Sequence, residues 1–187
     1  MTQMIPRYAF FTRGVGCHRE KLASFEEALR TAGIAPFNIV RVSSIFPPGC
    51  ELIPREAGIR MLHPGEIVFV VLSENATNEP GRRIVASVGL AIPKDRSMYG
   101  YISEHHAFGQ TEEEAGDYAE DLAVTMLATT LGLEYDPSRG WDEQLEAYRM
   151  SGKIVHTQNM TQGAVGDPNG LWTSVVAAVV FVLRPAV

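Results

Sequence analysis

The segment from Asn38 to Gly49 places the tightest constraint on how this chain folds. Its first part, Asn38-Ile-Val-Arg-Val42, is β-branched and apolar and predicts a buried strand. The strand ends at Ser43 and Ser44, and a stiff Pro-Pro-Gly turn follows two residues later. Proline fixes its own φ angle and biases the preceding residue towards extended conformations, so the backbone leaving Ser44 has few conformations available.

A serine pair beside a restrained peptide bond has two interpretations. In the common one, the hydroxyls of Ser43 and Ser44 only satisfy nearby backbone groups of a turn. In the other, the Ser44 hydroxyl attacks the carbonyl of Ser43 to give an ester, elimination leaves a dehydroalanine, and hydrolysis leaves a pyruvoyl group at the start of the new chain. That product is a ketone, an electrophile that no ordinary side chain supplies. The dipeptide alone favours the first interpretation.

Longer stretches of the sequence resemble the pyruvoyl-dependent arginine decarboxylases. The segment from Phe37 to Pro48 is similar to the processing segment of that family. Further similarity occurs in the same order along the chain, at Ala28-Leu29, Ala32-Gly33-Ile34, Ala91-Ile-Pro-Lys-Asp95 and Gly100-Tyr-Ile-Ser-Glu104. The resemblance runs from about Tyr8 to the C-terminus, and it favours cleavage between Ser43 and Ser44.

The resemblance implies a fold, an assembly and a reaction. The fold would be α+β, a single-domain four-layer αββα sandwich that cleaves itself into a β chain, residues 1–43, and an α chain, residues 44–187. Such αβ units would form a homotrimer with active sites between neighbouring subunits. The covalent cofactor would be the pyruvoyl group made from Ser44, which condenses with the amine of L-arginine and accepts the electrons released as CO2 leaves. Agmatine would be the product.

Glu104 is the candidate catalytic acid. Strict alternation over Tyr99–His105 places Glu104 on the same strand face as Ile102. If that face is buried, desolvation raises the pKa of Glu104 and suits it to hold a proton near neutral pH. If the face is exposed, Glu104 is merely solvated. The resemblance implies the first case, with Glu104 protonating the former α-carbon of the substrate.

Glu26 is the candidate acceptor for the substrate guanidinium. Helical spacing over Leu22–Ala32, followed by Gly33, predicts an amphipathic helix packed on a sheet. Glu27 points away from the apolar stripe and is expected to be solvated, whereas Glu26 lies at its border, either as a surface residue or as a two-oxygen acceptor. The family carries aspartate at the position of Glu26 and a small residue next to it. The longer side chain leaves another cationic amino acid, such as lysine, open as the substrate.

The resemblance assigns roles to three further residues. Asn38 would help to position the scissile carbonyl during processing, and Ser43 and Ile45 would lie near the bound substrate. A function of another class is also open, namely an unprocessed, non-catalytic trimer that acts as a scaffold or partner protein.

The remaining elements are predicted from periodicity. Thr111 and Glu114 form a capping box before a helix whose apolar stripe, which includes Tyr118, ends at Gly132. Strands are predicted at Tyr8–Thr12, Ile67–Leu72, Arg83–Ile92, Ile154–Met160 and Trp172–Leu183, a turn at Arg13–Gly16, a short helix at Asp142–Tyr148, and loops at 75–81 and 162–170. Residues 50–63 have mixed character and are not assigned. Two long helices and about six strands argue for an α+β sandwich.

The composition suits one soluble enzyme domain without a nucleic-acid or membrane partner. The 187 residues are 45% hydrophobic and 20% charged, and the net charge of −6 provides no basic stripe. Met1–Pro6 has no basic region before an apolar core, which predicts no signal peptide and a cytoplasmic location. Cys17 and Cys50 are expected to be reduced and buried. His105 and His106 point to opposite strand faces, so no metal site is predicted.

Overall fold

The computed structural model describes residues 4–134, 136, 138 and 140–183. The elements follow in the order β1 (Tyr8–His18), α1 (Lys21–Ala32), β2 (Asn38–Arg41), β3 (Ile45–Phe46), β4 (Glu51–Leu52), α2 (Arg55–Arg60), β5 (Ile67–Thr77), β6 (Arg83–Pro93), β7 (Gly100–Phe108), α3 (Glu112–Thr130), α4 (Trp141–Met150), β8 (Ile154–Val165) and β9 (Trp172–Val182). This order confirms a mixed α+β fold. None of the described helices is long and apolar enough to cross a membrane.

The strands form two sheets. The first sheet has the order β2-β5-β9-β1-β4, and the second has the order β3-β7-β6-β8. A buried cluster that includes Phe46, Ile102 and Val179 lies between them. A second cluster joins α1 and the residues around α2 to the first sheet, and a third joins α3 and α4 to the second.

The first strand is longer than the sequence predicts, because the turn expected at Arg13–Gly16 is part of β1. Gly14 and Gly16 face α1 so closely that an added Cβ would lie 2.1 Å from the carbonyl oxygen of Ala28 and 2.2 Å from that of Ser24, respectively. The glycines therefore allow a helix to lie directly on a strand, and they do not bend the chain. Their Gly-x-Gly pattern resembles a turn, because only the packing of the following helix on the strand reveals the close approach that requires them.

The capping box of α3 is confirmed. Thr111 Oγ1 accepts a hydrogen bond from the Glu114 backbone at 3.2 Å, and the Glu114 carboxylate accepts one from the Thr111 backbone at 2.7 Å. The buried face of the helix consists mainly of alanines, and Tyr118, which the apolar stripe included, is 45% exposed. The short helix predicted at Asp142–Tyr148 is also present, as α4.

Several other boundaries need correction. Strand β5 continues to Thr77 through a predicted loop, because the Asn75 side chain is buried and donates to the Ala107 carbonyl of β7 at 2.9 Å. Strand β8 likewise continues to Val165, and residues 50–63, which were not assigned, contain β4 and α2.

Cys50 is buried, which raises the pKa of its thiol to about 12, whereas Cys17 lies exposed on the face of β1 opposite α1.

The strand predicted as buried at Asn38–Val42 is an edge strand. It pairs with β5 alone, in parallel, and Val40 is 40% exposed. Its apolar residues therefore do not mark a central position in the sheet.

Candidate active site

The backbone passes from one sheet to the other at Ser43 and Ser44. The Val42 N–H still belongs to the first sheet, where it donates to the Val70 carbonyl of β5 at 2.9 Å. The Ser44 carbonyl already belongs to the second sheet, where it accepts from the Ile102 N–H of β7 at 2.7 Å. The peptide bond predicted to be cleaved therefore links the two sheets, and each of its ends is held by a different sheet.

A tight turn surrounds that bond. The Ile45 N–H donates to the Ser43 carbonyl at 2.9 Å, which closes a three-residue γ-turn centred on Ser44. Among the described residues only glycines have positive φ, so the turn is of the inverse, unstrained type. The hydroxyl of Ser44 is thus adjacent to a carbonyl whose oxygen already has a donor, which fits the formation of a pyruvoyl group at this residue.

The following turn is also fixed. The Cys50 N–H donates to the Pro47 carbonyl at 3.1 Å, and the Gly49 N–H donates to the Arg96 carbonyl at 2.9 Å. The Arg96 guanidinium donates in return to the Cys50 carbonyl. The chain on the C-terminal side of Ser44 is therefore held independently of the bond before it.

Glu104 lies near Ser44 on β7, on the same strand face as Ile102. Ile102 is fully buried between the sheets, whereas Glu104 lies past the end of that core and its residue is exposed, so neither of the two alternatives describes it fully. Partial desolvation nevertheless raises the pKa of Glu104, while the charges of Arg41 and His106 oppose the rise. Ser44 is opposite Ile102, so Glu104 is two residues, or about 7 Å, further along the neighbouring strand. The structure thus brings Ser43, Ser44, Ile45 and Glu104 together.

Two cavities adjoin this edge. One of about 580 Å³ is lined by Arg41, Glu74, His106 and Phe108, and by Leu22 and Phe25 of α1. The other, of about 400 Å³, is more apolar, and its walls include Val42, Ser43, Ile45, Pro47, Phe69 and Phe181. Only the second cavity is lined by Ser43 and so provides space for a small ligand beside the Ser43–Ser44 bond, whereas the first reaches the site through Arg41.

Arg41 was missed by the sequence analysis. Its guanidinium forms an ion pair of 2.8 Å with Glu74 and lies close enough to Glu104 to affect the pKa of that carboxyl group. The sequence feature that could have identified Arg41 as a site residue is its charge inside an otherwise apolar strand, two positions before the serine pair.

Asn38 does not reach Ser43 within one chain. The residues from Asn38 to Val42 are extended along β5, which separates the ends of this stretch by about 13 Å. The Asn38 side chain donates instead to the Gly65 carbonyl at 2.8 Å. The expected contact with the scissile carbonyl is therefore absent from the described part of a single chain.

Glu26 is also engaged elsewhere. Its carboxylate, 47% exposed, accepts from the Arg30 guanidinium at 2.6 Å within α1. The buried residues of the helix are Ser24, Ala28 and Ala32, while Leu22, placed on the apolar stripe, is 80% exposed. Glu27 is not simply solvated, since its carboxylate accepts from the Cys17 N–H at 3.0 Å. The close contact with β1 through its glycines rotates the buried face away from Leu22.

Comparison with known proteins defines the class. Residues 8–184 match the family profile described as Pyruvoyl-dependent arginine decarboxylase (PvlArgDC). A protein of Chloroherpeton thalassium named "Probable pyruvoyl-dependent arginine decarboxylase" is 57% identical over 94% of this chain and 97% of its own length. "Pyruvoyl-dependent arginine decarboxylase" of Methanococcoides burtonii is 55% identical over 96% of this chain and its own full length. "Pyruvoyl-dependent arginine decarboxylase 2" of Methanosarcina mazei is 56% identical over 96% of this chain and 98% of its own length.

These matches identify an enzyme that carries a covalent pyruvoyl cofactor. The chain belongs to the pyruvoyl-dependent arginine decarboxylase family.

Proposed function

We propose that this chain cleaves itself between Ser43 and Ser44 and then decarboxylates L-arginine to agmatine and CO2. One observation carries the proposal beyond family membership. The Ser43–Ser44 bond links two sheets that hold its ends separately, and Glu104 lies at the same edge. Cleavage would leave Ser43 on the first sheet and residue 44 on the second, without removing the hydrogen bonds of either end.

The pyruvoyl group formed from Ser44 would supply the carbonyl that accepts the electrons of the breaking bond. Glu104 would hold a proton and donate it to the substrate carbon that loses CO2. Its raised pKa supports this role, because a carboxyl group with an ordinary pKa is almost fully ionised near neutral pH. The apolar cavity beside Ser43 and Ile45 suits the methylene groups of the substrate.

The assembly proposed is a homotrimer of αβ units with the family's four-layer αββα fold. Each unit would be one domain made of a β chain, residues 1–43, and an α chain, residues 44–187. Leu22 exposes 80% of its surface one turn before Glu26, which supports a contact of this part of α1 with a neighbouring subunit. In such a trimer, Glu26 and Asn38 would serve the active site of a neighbour, which accounts for their separation from Ser44 within one chain.

Release of CO2 from carboxyl-labelled arginine, lysine and histidine tests the activity. We expect the wild-type protein to release CO2 from arginine and not from histidine. Ser44→Ala should remain a single chain and release no CO2. Glu104→Gln should be cleaved normally and yet release little CO2, because the proton donor acts after the cofactor has formed. If lysine were the preferred substrate, Glu26 would bind an ammonium group instead of a guanidinium. If the wild-type chain stayed intact and inactive, the alternative of a non-catalytic scaffold protein would be favoured.

A further inference from the structure

We propose that the backbone N–H of Ile45 is the oxyanion donor for self-cleavage. The inference rests on the proposed function, since it concerns the reaction that forms the cofactor. It assigns a catalytic contact to a main-chain group and to no side chain.

The evidence is the γ-turn that encloses the scissile bond. When a nucleophile adds to a carbonyl, negative charge develops on the carbonyl oxygen, and a donor placed 2.7–3.1 Å from the position of the oxyanion lowers the barrier. The Ile45 nitrogen is 2.9 Å from the Ser43 oxygen of the uncleaved chain. The donor is therefore already bound to the oxygen on which the charge would develop.

Strand pairing explains why this N–H is available. Ile45 is opposite Tyr101 in the antiparallel pair of β3 and β7. The hydrogen bond from Ile102 to the Ser44 carbonyl flanks that position, which makes Ile45 and Tyr101 a non-hydrogen-bonded pair. The Ile45 N–H consequently points away from β7, towards the Ser43 carbonyl.

The same contacts fix both sides of the turn. Val42 is bound to β5, and Ser44 is bound to β7, so the chain is held on both sides of the Ser43 carbonyl and opening of the turn is restricted. Asn38, which the family resemblance would place near this carbonyl, is bound to Gly65 at the far end of β2. Within the described residues of one chain, the recorded donor to the Ser43 oxygen is Ile45.

The step that Ile45 would assist is an N-to-O acyl shift. The Ser44 oxygen bonds to the Ser43 carbonyl carbon, and the π electrons move to the carbonyl oxygen, where the Ile45 N–H stabilises them. The electrons then return, the bond from that carbon to the Ser44 nitrogen breaks, and the nitrogen receives the proton lost by the hydroxyl. The result is an ester and a free amine, with no external reactant consumed.

An amide-to-ester replacement at the Ser44–Ile45 bond tests the proposal, because it removes this N–H and keeps every side chain. It also makes the Ser44 carbonyl a weaker acceptor for the Ile102 N–H, so an ester at a neighbouring bond is needed as a control. The natural Gly49–Cys50 junction allows ligation of a synthetic 1–49 thioester to a recombinant 50–187 fragment. The refolded full chain is followed by intact mass spectrometry, which distinguishes cleavage before residue 44 from hydrolysis of the new ester after it. A ligated all-amide chain and an ester at the Ile45–Phe46 bond are the controls.

We expect cleavage of the Ser44–Ile45 ester chain to be slower by about 100-fold or more, since loss of one oxyanion donor costs about 100- to 1,000-fold in rate. Both controls should cleave at similar rates. Cleavage of the test chain within threefold of the all-amide chain would overturn the role of Ile45 and leave the proposed function intact. Failure of the all-amide chain to cleave would overturn the proposed function as well.

A second measurement does not depend on folding of the ester chain. In the uncleaved Ser44→Ala variant, the amide hydrogen of Ile45 should exchange with solvent slowly, at a rate like that of Ile102 and far below that of the exposed Asp95. Exchange of Ile45 as fast as that of Asp95 would mean that the turn is open and would contradict the proposal.

Discussion

The proposed role of Glu26 in binding the substrate guanidinium can be tested by mutation, with the adjacent Glu27 as the control. Glu26→Gln keeps the shape of the side chain and removes its charge. If the carboxylate binds the substrate guanidinium, the variant loses a hydrogen bond between charged groups, worth about 1.5–3 kcal/mol. Since about 1.4 kcal/mol corresponds to a factor of ten, kcat/KM for arginine should fall by about 10- to 150-fold.

Glu27→Gln is the matched control. The Glu27 carboxylate accepts from the Cys17 backbone, and a glutamine oxygen can accept the same bond, so stability and kcat/KM should both change little. Arg30 competes with the substrate for the Glu26 carboxylate, because its guanidinium is only 2.6 Å away. Arg30→Gln should therefore lower KM for arginine, in the opposite direction to Glu26→Gln.

Steady-state kinetics of the three variants, with the cleaved fraction determined for each, provide the test. The measurement must be normalised to cleaved chains, because only these carry the cofactor. A kcat/KM for Glu26→Gln within twofold of wild type, or an equal loss in Glu27→Gln, would refute the reasoning.

Two further outcomes are expected. Burial raises the pKa of Glu104 and Arg41 opposes the rise, so Arg41→Gln should raise that pKa further and move the alkaline loss of kcat/KM to higher pH; a shift to lower pH would contradict the geometry. Gly16→Ala, measured in the uncleaved Ser44→Ala background, should destabilise the fold by about 1–3 kcal/mol in urea titrations, because its Cβ would collide with the backbone of α1. Gly140→Ala, with open space at the Cβ position, is the control and should change stability by less; equal losses would exclude the close contact as the cause.

Elements with local signals were predictable from the sequence. The start of α3 is specified within four residues by the Thr111–Glu114 capping box, and the end of α1 by Gly33, which has φ of 79°. The extensions of β1 and β5 were not predictable, because Gly14 and Gly16 are explained by the packing of α1 on β1, and Asn75 by a partner on β7, and both are tertiary contacts.

Most residues of the candidate site could be identified from the sequence, whereas most of their surroundings could not. Alternation placed Glu104 on the same strand face as Ile102, but only the packing of the two sheets shows that this face is buried at Ile102 and exposed again at Glu104. Family resemblance singled out Ser43 and Ser44, whereas the γ-turn depends on the pairing of β3 with β7. Glu26 was located on α1 by its spacing, and the i,i+4 spacing of Glu26 and Arg30 on that helix is a local pattern that predicts their ion pair, although the sequence analysis did not use it.

Intact mass spectrometry of the purified wild-type protein under denaturing conditions tests the central claim most directly. We expect two fragments that meet between Ser43 and Ser44. The larger fragment should lack a free amino terminus and should gain the mass of the reduced amine adduct when borohydride is added with arginine. A single intact chain with full decarboxylase activity, or a Ser44→Ala variant that decarboxylates as well as wild type, would contradict it.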